Sequence, residues 1–235
     1  SQWRSSWLSR EGVLAVFVLT ALSGWFLYVF LFGEAPAWLG FILVGLIIAT
    51  VYATSMIYAS LKTVACWHHP LTPACYLMFA ISGGLLAFIW LSSVLEQLVA
   101  DDILYLAILL TFFAWVVKFL WWRMLDTKSS GSTLESATGL KNFGKVRPLM
   151  PPHTSENYLQ KEMGFVVARR HAIKLRVISL ILGGVFPLLT LVMASSSPLW
   201  LGAAVFIHLL GIFIERWLFF AEAKHVVSIY YEGVH

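Results

Sequence analysis

Six long apolar stretches constrain this chain more than any other feature, at about 12–33, 37–61, 71–95, 103–122, 177–195 and 198–214. Each approaches the length of roughly 20 residues needed to cross about 30 Å of hydrocarbon as a helix. The expected class is therefore an all-α integral membrane protein, a polytopic bundle of six transmembrane helices. Composition agrees: 60% of residues are hydrophobic and 12% charged, against about 25% charged in a soluble domain. None of the six stretches has the form of a cleavable signal. The chain opens at Ser1 without an initiator Met, so six is read as a lower bound on crossings.

Charge then sets the sidedness. Weaving the chain through six crossings puts all sixteen Lys and Arg residues on one side, from Arg4, Arg10 and Lys62 through the run Lys118–Arg176 to Arg216 and Lys224. The three connections on the other side hold no basic residue, only Glu34, Glu96, Asp101 and Asp102. Basic loops are retained in the cytoplasm, which predicts both ends of this chain inside and a bacterial inner-membrane location. The net charge of +4 is this inner-face bias and asks for no nucleic acid.

Residues 1–235 read as one membrane-anchor domain, with 126–165 as its single sizeable polar loop. Ser129-Ser130-Gly131-Ser132-Thr133 has linker composition. The later prolines, aromatics and spaced charges fit an ordered surface, and Lys145, Arg147, His153, Tyr158 and Arg169 are its candidate docking residues. Within the helices, the pairs Gly83-Gly84 and Gly183-Gly184 allow close helix approach. Pro187 is expected to kink the fifth crossing, provided a neighbour satisfies the carbonyl it frees. No internal repeat supports an inverted-repeat transporter.

Metal chemistry finds little here. Two cysteines, Cys66 and Cys75, cannot make a four-ligand zinc or iron–sulfur site, and no haem or metal ligand set is expected. Only His208 lies well inside a crossing, where a helix–helix hydrogen bond is its ordinary role. Ionisable groups near hydrocarbon tend to be functional, and they gather at one depth on the basic side: Arg10 and Glu11, Lys118, Glu215 and Arg216, with Glu222 seven residues after Glu215 and His225 nine after Arg216. Each has a bland reading as well: Lys118 can snorkel to the headgroups, and Glu11 can serve a helix start. An otherwise apolar membrane centre does not suit an ion path. It suits an amphipathic ligand whose head reacts at the inner surface, and a quinone is such a ligand, since its two-electron reduction takes up two protons.

Several runs of the chain resemble one family. They are Trp7-Leu8-Ser9-Arg10-Glu11, Met56-Ile57-Tyr58-Ala59-Ser60-Leu61-Lys62, Trp67-His68-His69-Pro70-Leu71-Thr72, the loop run Pro151-Pro152-His153-Thr154 with Asn157-Tyr158, Glu162-Met163-Gly164-Phe165 and Ala168-Arg169, and the closing run from Glu215 to His225. Together they resemble the membrane anchor of dimethyl sulfoxide reductase-type molybdoenzymes, in the branch that anchors a cytoplasm-facing sulfite dehydrogenase. The resemblance implies an eight-helix full-length subunit and two soluble partners, a molybdopterin catalytic subunit and an iron–sulfur electron-transfer subunit. It also implies a quinone, ubiquinone or menaquinone, reacting near Glu11. Molybdopterin and iron–sulfur clusters would sit only in the partners.

The expectation is thus a quinone-reactive anchor. Glu11 is its catalytic candidate, and Arg10, Glu11, Glu215, Arg216, Glu222 and His225 surround the quinone. Electrons would flow from sulfite to quinone. A reductase of dimethyl sulfoxide or another sulfur or oxyanion substrate, oxidising quinol, is the alternative. A haem b anchor and a small-molecule transporter also stay open on the residues alone.

Overall fold

A computed structural model describes residues 4–127, 133–142, 144–146, 166–193, 197–223 and 226. Among the described residues eight helices follow in order: α1 (Trp7–Phe32), α2 (Ala37–Ala59), α3 (Leu71–Val94), α4 (Asp101–Thr127), the short α5 (Leu134–Thr138) and α6 (Val166–Arg170), α7 (Ala172–Val192) and α8 (Pro198–Ala221). No strand occurs among the described residues. Six of the helices, α1–α4, α7 and α8, are long and apolar enough to cross a membrane, as the hydropathy pattern requires.

The helices outrun the apolar stretches at the basic end. α4 continues past Trp122 to Thr127, α7 begins at Ala172 rather than 177, and α8 continues from 214 to Ala221. Lys, Arg and Glu are good helix formers, so the helix persists where hydropathy falls. This keeps Lys118, Arg176, Glu215 and Arg216 on rigid helix.

α3 and α8 form the middle of the bundle: α3 packs on α2, α4 and α8, and α8 packs along α7. α1 packs along α2 and buries none of its residues. Its side chains Phe17, Phe30 and Phe32 face outward, as a lipid-contacting helix can at no hydrophobic penalty. The basic end holds an aromatic floor in which Trp67 stacks on Phe219 and Tyr58 meets both edge-on. The indole of Trp67 donates to the Phe219 carbonyl at 3.0 Å, and that of Trp121 donates to Thr72 Oγ1 at 3.3 Å. The Trp67–Thr72 run is thereby locked between α2, α4 and α8.

The fifth crossing is irregular for a traceable reason. Residues Ile181–Val185 of α7 form a π-turn immediately before Phe186-Pro187. Pro187 has no N–H for the carbonyl four residues earlier, that of Gly183. His208 Nδ1 on α8 donates to that carbonyl at 2.6 Å. His208 thus has the helix–helix role expected of it and supplies the bond that Pro187 withholds. Gly183 and Gly184 lie against Trp115, and Gly183 against the backbone of Gly211 on α8, so α7 and α8 meet almost backbone to backbone. Gly84 touches nothing within 4 Å of where a Cβ would be, and only the second glycine pair serves close packing on both residues.

Candidate functional site at the basic end of the bundle

Three charges meet inside the bundle. Lys118 on α4 and Glu215 on α8 are wholly buried, and Lys118 Nζ lies 2.5 Å from Glu215 Oε1. Arg216 grips the same carboxylate, Nε to Oε2 at 2.5 Å and Nη2 to Oε1 at 2.8 Å. The Lys118 ammonium also sits 3.6 Å from the centroid of the Trp121 ring, where a desolvated cation is held by the ring face. The snorkelling reading of Lys118 is therefore corrected. Its stem turns inward because Glu215 and Trp121 offset the desolvation of the ammonium, which headgroup water would otherwise have to do.

Arg216 turns its outer face to a second set of residues. Its guanidinium lies 4.3 Å from the Tyr76 ring centroid and 4.9 Å from that of Phe219. A cleft of about 220 Å³ runs beside it, lined by Val51, Tyr76, Phe79, Ala80, Ile212 and Arg216 from α2, α3 and α8. Arg216 Nη1 is buried and has no hydrogen-bond partner among the described residues. A guanidinium donates and cannot accept, so the cleft sets mostly apolar side chains beside a cation and the Tyr76 ring. That combination suits a ring bearing an acceptor oxygen. The volume is below the roughly 300–1,000 Å³ of pockets for drug-sized ligands and fits a single ring with its tail left in lipid.

Glu11 lies on the other flank. The Thr54 hydroxyl of α2 donates to Glu11 Oε1 at 2.5 Å, tying α1 to α2. Tyr58, one turn beyond Thr54, stands within electrostatic reach of both Glu11 and Arg216 and stacks with Tyr76 at 6.0 Å between centroids. Glu11 and the Arg216 cleft are thus two sides of one region joined by Tyr58 and Tyr76. Arg10 turns toward the start of the chain: it donates to the Arg4 carbonyl and packs 4.3 Å over Trp7.

A third group closes the end of the bundle. Arg176 on α7 donates to both oxygens of Asp126 at 2.7 and 2.9 Å, and to Glu222 Oε1 at 3.0 Å. Three helix ends, those of α4, α7 and α8, are stapled by this one side chain. Burial pushes the Glu222 carboxyl above the usual carboxylate range, more strongly than Arg176 pulls it down. Arg169 donates to the carbonyls of Ala221 and Ala223 at 2.8 and 3.1 Å, so its guanidinium caps α8. Lys145 is exposed, while Arg147, His153, Tyr158 and His225 lie outside the described residues.

Glu11, Glu215, Arg216 and Glu222 therefore share one end, as their depth in the sequence implies, and Arg10 sits at the same end against Trp7. The residues that sequence reasoning passed over are Tyr58, Tyr76, Asp126 and Arg176. Tyr58 was signalled by its place in the Met56–Lys62 run. Arg176 and Asp126 carried no signal, because fifty residues separate the partners. His208 is buried inside its crossing as the sequence reading placed it, and Thr111 on α4 is buried as well. Among the described residues no cluster of three or more His, Cys, Asp or Glu could hold a metal ion.

No family model and no solved structure matches this chain. Over its whole length it is similar to a sulfite dehydrogenase subunit from Allochromatium vinosum (strain ATCC 17899 / DSM 180 / NBRC 103801 / NCIMB 10441 / D). The two are 28% identical over 255 aligned positions, which cover 100% of this chain and 76% of the relative.

Proposed function

We propose that this chain is the membrane-spanning, quinone-reactive subunit of a sulfite-oxidising complex. The observation that carries the quinone reading is Arg216: a cation fixed by a buried carboxylate and lining a mostly apolar cleft between α2, α3 and α8. The similarity to a sulfite dehydrogenase subunit supplies the reaction. The basic end faces the cytoplasm by the positive-inside rule. There it would meet an iron–sulfur subunit that delivers electrons and, beyond it, a molybdopterin subunit that oxidises sulfite. Lys145 and Arg147 belong to the docking face of that partner.

In this reading the quinone ring lies between the Arg216 cleft and Glu11. Arg216 holds one ring oxygen by a charge-assisted hydrogen bond. Glu11, oriented by Thr54, serves the other oxygen as acid or base. Tyr58 and Tyr76 form the aromatic wall between them.

Replacement of Glu11 by Gln tests this directly. Loss of a positioned acid or base costs about 10²–10⁴-fold, so sulfite-driven quinone reduction falls by at least the lower figure. Sulfite oxidation coupled to a soluble dye, which draws electrons before the membrane site, persists. Parallel loss of both activities would make Glu11 a structural residue and overturn its assignment.

A further inference from the structure

The quinone reading gives Glu11 one ring oxygen and leaves the proton supply to the oxygen beside Arg216 unexplained. Reduction of a quinone to a quinol takes two electrons and two protons; the iron–sulfur donor brings only electrons. Arg216 cannot be the proton source, since a guanidinium stays protonated at any accessible pH. A carboxyl, an ammonium or ordered water must connect the cleft with solvent.

Beyond the quinone cleft itself, the described residues contain one trail of buried polar groups that reaches from it to the basic-end surface. Glu222 follows Glu215 by seven residues, two turns along the same face of α8, about 10.5 Å of axial rise. The interval is filled from α4. Lys118 Nζ is 2.5 Å from Glu215 and 5.3 Å from the Trp122 ring centroid, and Arg176, which holds Glu222, lies 5.6 Å from that same ring. Glu222 Oε2, Trp122 Nε1, Lys118 Nζ and Arg216 Nη1 are all buried and lack a hydrogen-bond partner among the described residues. Lys118 nonetheless has its ion pair. Buried polar atoms are almost always satisfied, by protein or by internal water. The three that no ion pair satisfies, Glu222 Oε2, Trp122 Nε1 and Arg216 Nη1, are the lining that a short water-filled path between the surface and the cleft requires. At its outer end Arg176 links Glu222 to Asp126, whose side chain is 58% exposed.

We infer that Glu222 is the proton-loading group of the quinone site, passing protons from the basic-end surface through the Trp122–Lys118–Glu215 interval to the cleft beside Arg216. The inference rests on the quinone reading above. Each turnover then moves one proton inward along this trail to the oxygen beside Arg216, while Glu11 delivers the second to the other oxygen, as two electrons arrive from the iron–sulfur donor. Glu222 never touches the quinone; it acts through the groups behind it. The charged groups facing it are Arg176 from α7 with Asp126 and Lys118 from α4. Between them they keep the carboxyl within reach of solvent protons without fixing both oxygens. Burial raises its pKa above the usual carboxylate value, the direction that favours proton uptake.

The test uses the intact complex in detergent with sulfite as donor and a short-chain quinone as acceptor. Glu222→Gln keeps the shape and a hydrogen bond to Arg176 but cannot carry a proton. The expected result is a fall of about a hundredfold in kcat with little change in KM for quinone. A larger solvent deuterium isotope effect and partial rescue by a small permeant acid such as formate complete the expected pattern. Glu222→Asp restores most of the rate. Undiminished turnover of Glu222→Gln in a complex whose wild type reduces quinone would overturn this inference alone. So would a loss that neither small acids nor Asp relieve, which would make Glu222 a structural anchor for Arg176. A wild-type complex unable to reduce quinone would overturn the quinone reading and the proton path together.

Discussion

The buried Lys118–Glu215–Arg216 group makes an unequal prediction for its members. Two cations share one carboxylate, so the three carry a net single positive charge out of water. Removing the anion by Glu215→Gln leaves two adjacent cations without a counter-charge. Breaking a buried pair in this way costs about 3–5 kcal/mol. Removing the ammonium by Lys118→Met does the reverse: it deletes the unmatched charge, leaves Glu215 with both bonds to Arg216, and keeps an unbranched stem against Trp121. A volume-conserving change of that kind costs less than about 1.5 kcal/mol. At about 2–4 °C per kcal/mol for a chain of this size, Glu215→Gln lowers the melting temperature by roughly 6–20 °C, and Lys118→Met by less than about 6 °C. The double variant, with one unmatched cation instead of two, melts between Glu215→Gln and wild type. Cys66 and Cys75 are both buried and form no disulfide, so a maleimide dye that reacts with them on unfolding reports the melt in detergent with no added label. Equal destabilisation by Lys118→Met and Glu215→Gln would refute the charge argument and leave only packing at this position.

Two further outcomes follow from the packing and the surface. A Cβ at Gly211 would lie 2.2 Å from the backbone nitrogen of Gly183, while one at Gly84 would meet nothing within 4 Å. Gly211→Ala therefore forces α7 and α8 apart and costs about 1–3 kcal/mol or more, whereas Gly84→Ala leaves the melting temperature unchanged or slightly raised, measured by the same thiol assay. Reversal of charge at Lys145 and Arg147 releases the iron–sulfur and molybdopterin subunits during purification without unfolding the membrane chain; unchanged co-purification would remove these residues from the docking face.

Six crossings, and the depth at which the charges collect, were legible in the sequence because both depend on hydropathy and charge alone. Glu215 and Arg216 are adjacent and Glu222 follows about two turns later near the same helix face, so their nearness needed no tertiary information. The partner of Lys118 did. Its pairing with Glu215 joins two helices far apart in the chain, and nothing in the pattern marks which face of α4 is buried. The crossings are apolar nearly all round, since lipid and protein core make the same demand, so periodicity cannot separate an inward face from an outward one. For the same reason a basic residue near a helix end looked able to reach headgroups, when its carboxylate and indole partners lay inward. The π-turn escaped for another reason: Pro187 announced a freed carbonyl, but only the register of α8 against α7 shows that His208 receives it. Arg176 illustrates the same point at the surface, where three helix ends must be assembled before its partners exist.

The central claim, a quinone-reactive subunit within a sulfite-oxidising assembly, is tested most directly by a mild-detergent purification through this chain, analysed for molybdenum, iron, quinone and sulfite-dependent quinone reduction. The account predicts stoichiometric molybdenum and iron–sulfur partners, bound quinone, and activity. A membrane protein that purifies alone, with no metal-bearing partner and no quinone, would contradict it.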